Sequence, residues 1–246
     1  MISRPRHNRR PELPTGAAKV AAVDAMFDTI APRYDLTNRV ISLGLDVRWR
    51  RRTVRSLGLP SGGRVLDLAC GTGDLCRELL RAGLVPVGVD RSAGMLASAH
   101  TSAPLVRGDA LALPFRSGGL DGIVCGFALR NFTALGPVFA ECARVLRAGG
   151  RLALLEVDAP AQPLLRLGHR VWFGQVVPLV GGLLSGTSGA PRGPVRAAYR
   201  YLPRSVAYLP PWAEMAGLLE SAGFTAVARA PLSAGIAQLL TAARQP

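Results

Sequence analysis

Two glycines and two acids carry the chemistry for which this sequence can be read. In Arg64 to Asp74, RVLDLACGTGD, the Gly71-Thr72-Gly73 turn follows a short apolar run holding Asp67, and Asp90 stands 17 residues beyond Gly73. Glycine lets a ligand lie against the backbone with no Cβ between them. A carboxylate at the tip of the next strand can accept two hydrogen bonds from a ribose diol. A dinucleotide site would use G-x-G-x-x-G and seat a pyrophosphate on the helix N-terminus. Here the spacing is D-x-A-x-G-x-G, and Asp74 puts negative charge where that phosphate would sit. The pattern suits a nucleoside bearing a cation, and S-adenosylmethionine is such a ligand.

These residues need a frame. Val65 to Ala69 predicts a buried strand, Asp74 to Leu84 a helix opened by Asp74 and closed near Gly83, and Val85 to Val89 a second strand ending at Asp90. Ser92 caps a helix to about His100; Pro104 to Arg107 is a third strand ending in Gly108-Asp109-Ala110. Leu120 to Gly126 is a fourth strand that runs straight into Phe127-Ala128-Leu129-Arg130-Asn131. Alternating strands and helices predict a parallel sheet, whose ligands gather past the strands' carboxyl ends. Upstream, Val23, Met26, Phe27 and Ile30 share one helical face. Pro32 breaks that helix, and residues 33–38 read as a connection to a second.

VLDLACGTGD followed by VGVDRSAGML resembles the first two motifs of class I S-adenosylmethionine-dependent methyltransferases, with Ala69 where that superfamily often has glycine. MFDTIAPRYDLTNRVISLGLDVRWRR, FALRN and AYRYLPRSVAYLP resemble, more narrowly, the quinone C-methyltransferases that act on demethylmenaquinol and polyprenyl benzoquinol rings. The likeness spans about residues 20–242. It implies an α/β fold: a Rossmann-like, seven-stranded, mostly parallel sheet with an antiparallel last strand, flanked by helices under an N-terminal helical lid. A basic disordered tail (1–19) would precede one domain: lid 20–60, cofactor core 61–160, helical cover and loop 161–209, closing helix and strands 210–246.

The resemblance also implies roles. Asp67, Gly71, Thr72, Gly73, Asp90, Asp109 and Ala110 would bind S-adenosylmethionine. Arg130 and Asn131 would hold a ring oxygen, Tyr34 and Asp35 would join them in catalysis, and Asn38 and Tyr201 would line the quinol site. The general base stays open among Asp35, Tyr34 and a water; His7, His100 and His169 sit in unpersuasive contexts. Leu240 stands where relatives carry histidine. Methyl transfer by direct displacement calls for no metal ligand set.

Composition narrows the rest. A chain of 246 residues can bury one full core, and no apolar run reaches the roughly 18 residues a spanning helix needs. The arginines at 4, 6, 9 and 10 lead into no apolar stretch, so a secretory signal is not expected. Cys70, Cys76, Cys125 and Cys142 lack metal-ligand spacing and read as reduced thiols of a cytoplasmic protein. Net charge is +7 over residues 1–56, +1 over 57–160 and +6 over 161–246. Such basic flanks suit an anionic membrane surface, or arginine-rich composition alone. Nucleic-acid binding is the rival reading, but no aromatic-interleaved basic stretch or reader motif accompanies the charge. Other rivals are a methyltransferase for another hydrophobic small molecule and a silent scaffold.

Overall fold

The computed structural model describes residues 15–31, 34–160, 162–163, 166–167 and 205–246. Seven strands form one sheet in the order β3-β2-β1-β4-β5-β7-β6. They are β1 (Arg64–Leu68), β2 (Val85–Asp90), β3 (Leu105–Arg107), β4 (Leu120–Gly126), β5 (Leu146–Val157), β6 (Phe224–Leu232) and β7 (Ala237–Arg244). β1 pairs in parallel with both β2 and β4, whereas β7 is antiparallel to β5 and to β6. The chain builds outward from β1 through β2 to β3 and then returns to β1's other edge, so the order reverses between β1 and β4. In open α/β sheets, ligand clefts form at such a reversal.

Seven helices pack around the sheet among the described residues: α1 (Gly16–Ile30), α2 (Tyr34–Ile41), α3 (Leu45–Ser56), α4 (Asp74–Arg81), α5 (Ala93–Ala97), α6 (Leu135–Val145) and α7 (Trp212–Ser221). Both faces are covered at the central strands β1 and β4, which are buried along almost their whole length, whereas the edge strand β6 is largely exposed. Leu66, Leu68, Ile123 and Cys125 face α6 and α7 in one core with Phe139 and Leu219. Val65 and Val124 face the other way, into a core with Trp49 of α3 and Leu79 of α4.

Several boundaries differ from the sequence expectation. α1 begins at Gly16, inside the stretch read as a tail: Ala17 and Ala18 favour helix, and the Lys19 ammonium is anchored on the Phe132 carbonyl at 2.7 Å. Of the connection expected at residues 33–38, residues 34–38 instead begin α2, with Asp35 in its first turn. Arg50, one of the run Arg50-Arg51-Arg52, is buried. It bonds Asp46, lies 3.1 Å from Asp74 and sits 5.7 Å from the Phe127 ring centroid. Of the expected helical cover over residues 161–209, only 162–163, 166–167 and 205–209 are described; Tyr201, like His7 and His169, lies outside the described residues.

Candidate active site

The carboxyl ends of β1, β2 and β4, covered by α1 and the first residue of α2, surround a cleft of about 990 Å³ counted out to its open mouth. Its walls are apolar (Val23, Phe27, Met95, Phe127, Phe132 and Val138 among them), with a few polar groups converging from the strand ends.

Asp90 is the central one. Its Oδ2 accepts the Gly71 N–H at 2.8 Å and its Oδ1 the Ser92 N–H at 2.9 Å. The carboxylate therefore faces the glycine bend. Two backbone bonds fix the group while leaving acceptor capacity on both oxygens. Burial raises the Asp90 pKa, opposed by those same N–H groups. The Asp109 carboxylate closes an Asx turn on the Leu111 N–H at 3.0 Å and meets Arg91 at 2.8 Å. Arg91 also reaches Asp24 of α1 at 3.3 Å. Asp24–Arg91–Asp109 thus ties the lid helix to two strand-end loops.

Asp67 plays another part. It does not line the cleft; its Oδ2 accepts the Cys76 N–H at 3.0 Å and so holds the first turn of α4. Burial pushes its carboxyl up to about 7, and its Oδ1 has no hydrogen-bond partner among the described residues. Gly71 lines the cleft, whereas Thr72 and Gly73 support it from behind. The Thr72 hydroxyl donates to Asp35, fastening α2 to the turn. Gly73 is left-handed, and a Cβ there would come within 2.6 Å of Thr101. Ala69 and Phe127, the residues following β1 and β4, are also left-handed, at φ 55° and 59°. For non-glycine residues this conformation is strained, and such strain gathers at functional sites. It also explains why a glycine fits the place Ala69 holds.

On the other wall stand Tyr34 and Asn131. Burial raises the Tyr34 phenol, with a hydrogen bond to Asn38 and the charges of Arg130 and Arg50 acting in the opposite direction. Its ring meets Phe27 edge-on, 5.9 Å between centroids. Arg130 does not line the cleft. It is buried, its guanidinium bonded to Glu156 at the end of β5 and to the Ser205 hydroxyl at 3.1 Å. Arg130 thus holds the turn that presents Asn131, and its charge still reaches Tyr34. Asp35, held by Thr72 and 3.5 Å from Arg77, braces the lid and does not line the cleft.

Of the residues singled out in the sequence, Gly71, Asp90, Asp109, Ala110, Tyr34 and Asn131 meet in one cleft. Sequence reasoning missed Asp24, Arg91 and Ser92. Asp24 lies in α1 while Arg91 and Ser92 follow β2, and only Ser92 carried a signal, as a helix cap.

Comparison with known proteins follows the same lines. The ubiE/COQ5 methyltransferase family matches residues 15–244. The demethylmenaquinone methyltransferase of Roseiflexus castenholzii is 42% identical over 237 residues, 93% of this chain and 96% of that one. The ubiquinone/menaquinone biosynthesis C-methyltransferase of Syntrophotalea carbinolica is 39% identical over 228 residues, 89% of this chain and 92% of that one. Among solved structures, a SAM-dependent methyltransferase from Thermotoga maritima superposes with a TM-score of 0.60 at 16% identity, over 90% of this chain and 99% of that one. That last likeness is one of fold.

Proposed function

The chain belongs to the ubiE/COQ5 methyltransferase family, and from that premise we propose that it moves a methyl group from S-adenosylmethionine to a ring carbon of a prenylated quinol, demethylmenaquinol first. The observation that carries the reading is the Asp90 carboxylate, fixed by the Gly71 and Ser92 N–H groups, facing a cleft otherwise walled by aromatic and aliphatic side chains.

The residues present fit the cofactor. Asp90 retains the acceptor capacity a ribose diol requires, and Gly71 puts bare backbone beside it. Ala110 and Leu111 border the cleft where the resemblance puts the adenine. When bound, S-adenosylmethionine supplies an electrophilic methyl group on a sulfonium. The protein's own work is then placement. Phe27, Phe127 and Phe132 flank the quinol ring and keep water out. A phenol held above its ordinary value stays protonated at neutral pH, so Tyr34 donates to the quinol oxygen, as does the Asn131 side-chain amide. The ring carbon beside that oxygen gains the methyl as the hydroxyl proton leaves, then gives up its own proton while the oxygen takes one back, a net release of one proton. Asp35 is already engaged by Thr72 and Arg77, which leaves a water as the first candidate to carry the hydroxyl proton away.

A quinol with a prenyl tail resides in the bilayer, so the enzyme works as a peripheral protein on the cytoplasmic face of the membrane. Among the described residues no helix is long and apolar enough to cross it. The test is incubation with S-adenosylmethionine and a short-chain demethylmenaquinol, or the matching benzoquinol, with the product read by mass. A naphthoquinol heavier by one methylene is expected. Cofactor binding in calorimetry without methylation of either ring would overturn the quinol reading.

A further inference from the structure

Helix α2 has two faces. Tyr34, Asn38 and Ile41 share the half-buried one, and of these Tyr34 lines the cleft while Asn38 does not. Leu36 and Val40 lie on the opposite face, 55% and 37% exposed, and Leu43 in the turn that follows is 72% exposed. The face is one turn-spaced aliphatic stripe with Arg39 beside it, its side chain 51% exposed and 3.8 Å from Asp74. Core packing does not account for these residues. Leu43 is the clearest case: its backbone is left-handed at φ 53°, unfavourable for leucine, and its side chain is spent on solvent. Contiguous exposed aliphatics of this kind mark interaction sites.

The neighbouring helix supplies the charge. α3 exposes Arg48, Arg51, Arg52 and Arg55, a stripe at helical spacing. Arg51 is engaged by Glu78 at 3.2 Å, but Arg48, Arg52 and Arg55 have no carboxylate partner among the described residues. A nucleic acid would use the arginines and leave the leucines wet. A second copy of this chain would bring the same positive charge against itself. Aliphatics that enter an interface beside arginines that meet phosphates match a lipid headgroup layer.

We propose that the α2–α3 corner is a docking surface for an anionic lipid bilayer, with Leu36, Val40 and Leu43 entering the headgroup region and Arg39, Arg48, Arg52 and Arg55 meeting its phosphates. The surface gives α2 a double role, deepening the quinol reading on which its purpose rests. One face carries Tyr34 to the cleft while the other sits on the membrane, so a ring can enter the site with its tail still in the lipid.

The full chain is mixed with phosphatidylglycerol–phosphatidylcholine vesicles and with pure phosphatidylcholine vesicles, and the bound fraction is read by flotation at low and high salt. Binding to the anionic vesicles, weakened by salt, is expected. The triple variant Leu36→Ser, Val40→Ser, Leu43→Asn should bind at least about tenfold more weakly, as should Arg48→Gln, Arg52→Gln, Arg55→Gln. Both variants keep the N-terminal arginines, so those cannot account for a loss. Each variant's thermal melt and S-adenosylmethionine affinity should match the parent, which separates docking from folding. Unchanged vesicle binding by a folded triple variant overturns the proposal. So does binding indifferent to phosphatidylglycerol, RNA competition that only the arginine variant loses, or a dimer in light scattering that the leucine changes dissolve without touching vesicle binding. None of these readings uses a quinol, so failure of the methylation assay and failure of docking are told apart.

Discussion

The two walls of the cleft are held in different ways. On the strand-end wall and just behind it, Asp90, Asp109 and the buried Asp67 are fixed by backbone N–H groups within one or two elements of themselves: Gly71 and Ser92 for Asp90, Leu111 for Asp109, and Cys76 for Asp67. Behind the lid wall, the bracing polar side chains are fixed by partners far away in sequence. Lys19 reaches the Phe132 carbonyl 113 residues on, and lies 3.8 Å above the Tyr208 ring; Thr72 reaches back to Asp35; Arg130 is clasped by Glu156 and Ser205. Backbone-held groups are a property of the fold and resist single substitutions elsewhere. Side-chain-held groups depend on each partner, so the lid wall is where distant changes should be felt.

The largest effect is expected at Glu156→Ala. It would leave Arg130 buried without its carboxylate, costing about 3–5 kcal/mol in chemical denaturation. A loss under about 1 kcal/mol would mean the pair is replaceable by water. Next comes Asp67→Asn, which sharpens the contrast within the strand-end wall. Its carboxyl sits at about 7 in the fold, against an ordinary 3.8. Between those values the native chain holds a proton that the unfolded chain releases, so this group's contribution to stability falls as pH rises and is flat above about 7. Asparagine does not titrate. The stability of Asp67→Asn relative to the parent should therefore climb from pH 4 to 7, by on the order of 3 kcal/mol. A pH-independent difference in denaturation midpoint would refute the assignment.

Asp90→Ala should weaken S-adenosylmethionine binding by about 10–100-fold in calorimetry, the worth of one or two charge-assisted hydrogen bonds, with little change in melting temperature. Tyr34→Phe should leave cofactor affinity intact and lower turnover on quinol by about tenfold, the value of one donor at the reacting oxygen. Equal losses in both measurements would merge the two walls into one. The smallest change is a gain: Ala69→Gly relieves a left-handed alanine and should stabilise by about 1 kcal/mol.

The same division decides how much was legible in the sequence. Apolar runs and glycine turns are local signals, and they located β1 to β4 to within a residue at their starts, together with Gly71, Asp90 and Asp109. β5 follows α6 directly, from Leu146. The lid was less legible because its order comes from tertiary contacts. Nothing near Lys19 announces Phe132, and nothing near Arg50 announces Asp74. An arginine run reads as a solvated face until the fold turns one member inward. Arg130 was legible as important but not as bonded to Glu156, because a strand-end glutamate 26 residues away looks like any other acid.

The place of β7 has a consequence for synthesis. It leaves the ribosome after β6 yet belongs between β6 and β5. Until it emerges, a nascent chain exposes the long apolar rim of β5, a template for pairing with other chains. The cleft side of the sheet can be assembled early, but its far half must wait for a strand that is wedged in last. Stalled or prematurely terminated translation in this stretch would therefore yield a sticky fragment rather than a smaller working enzyme.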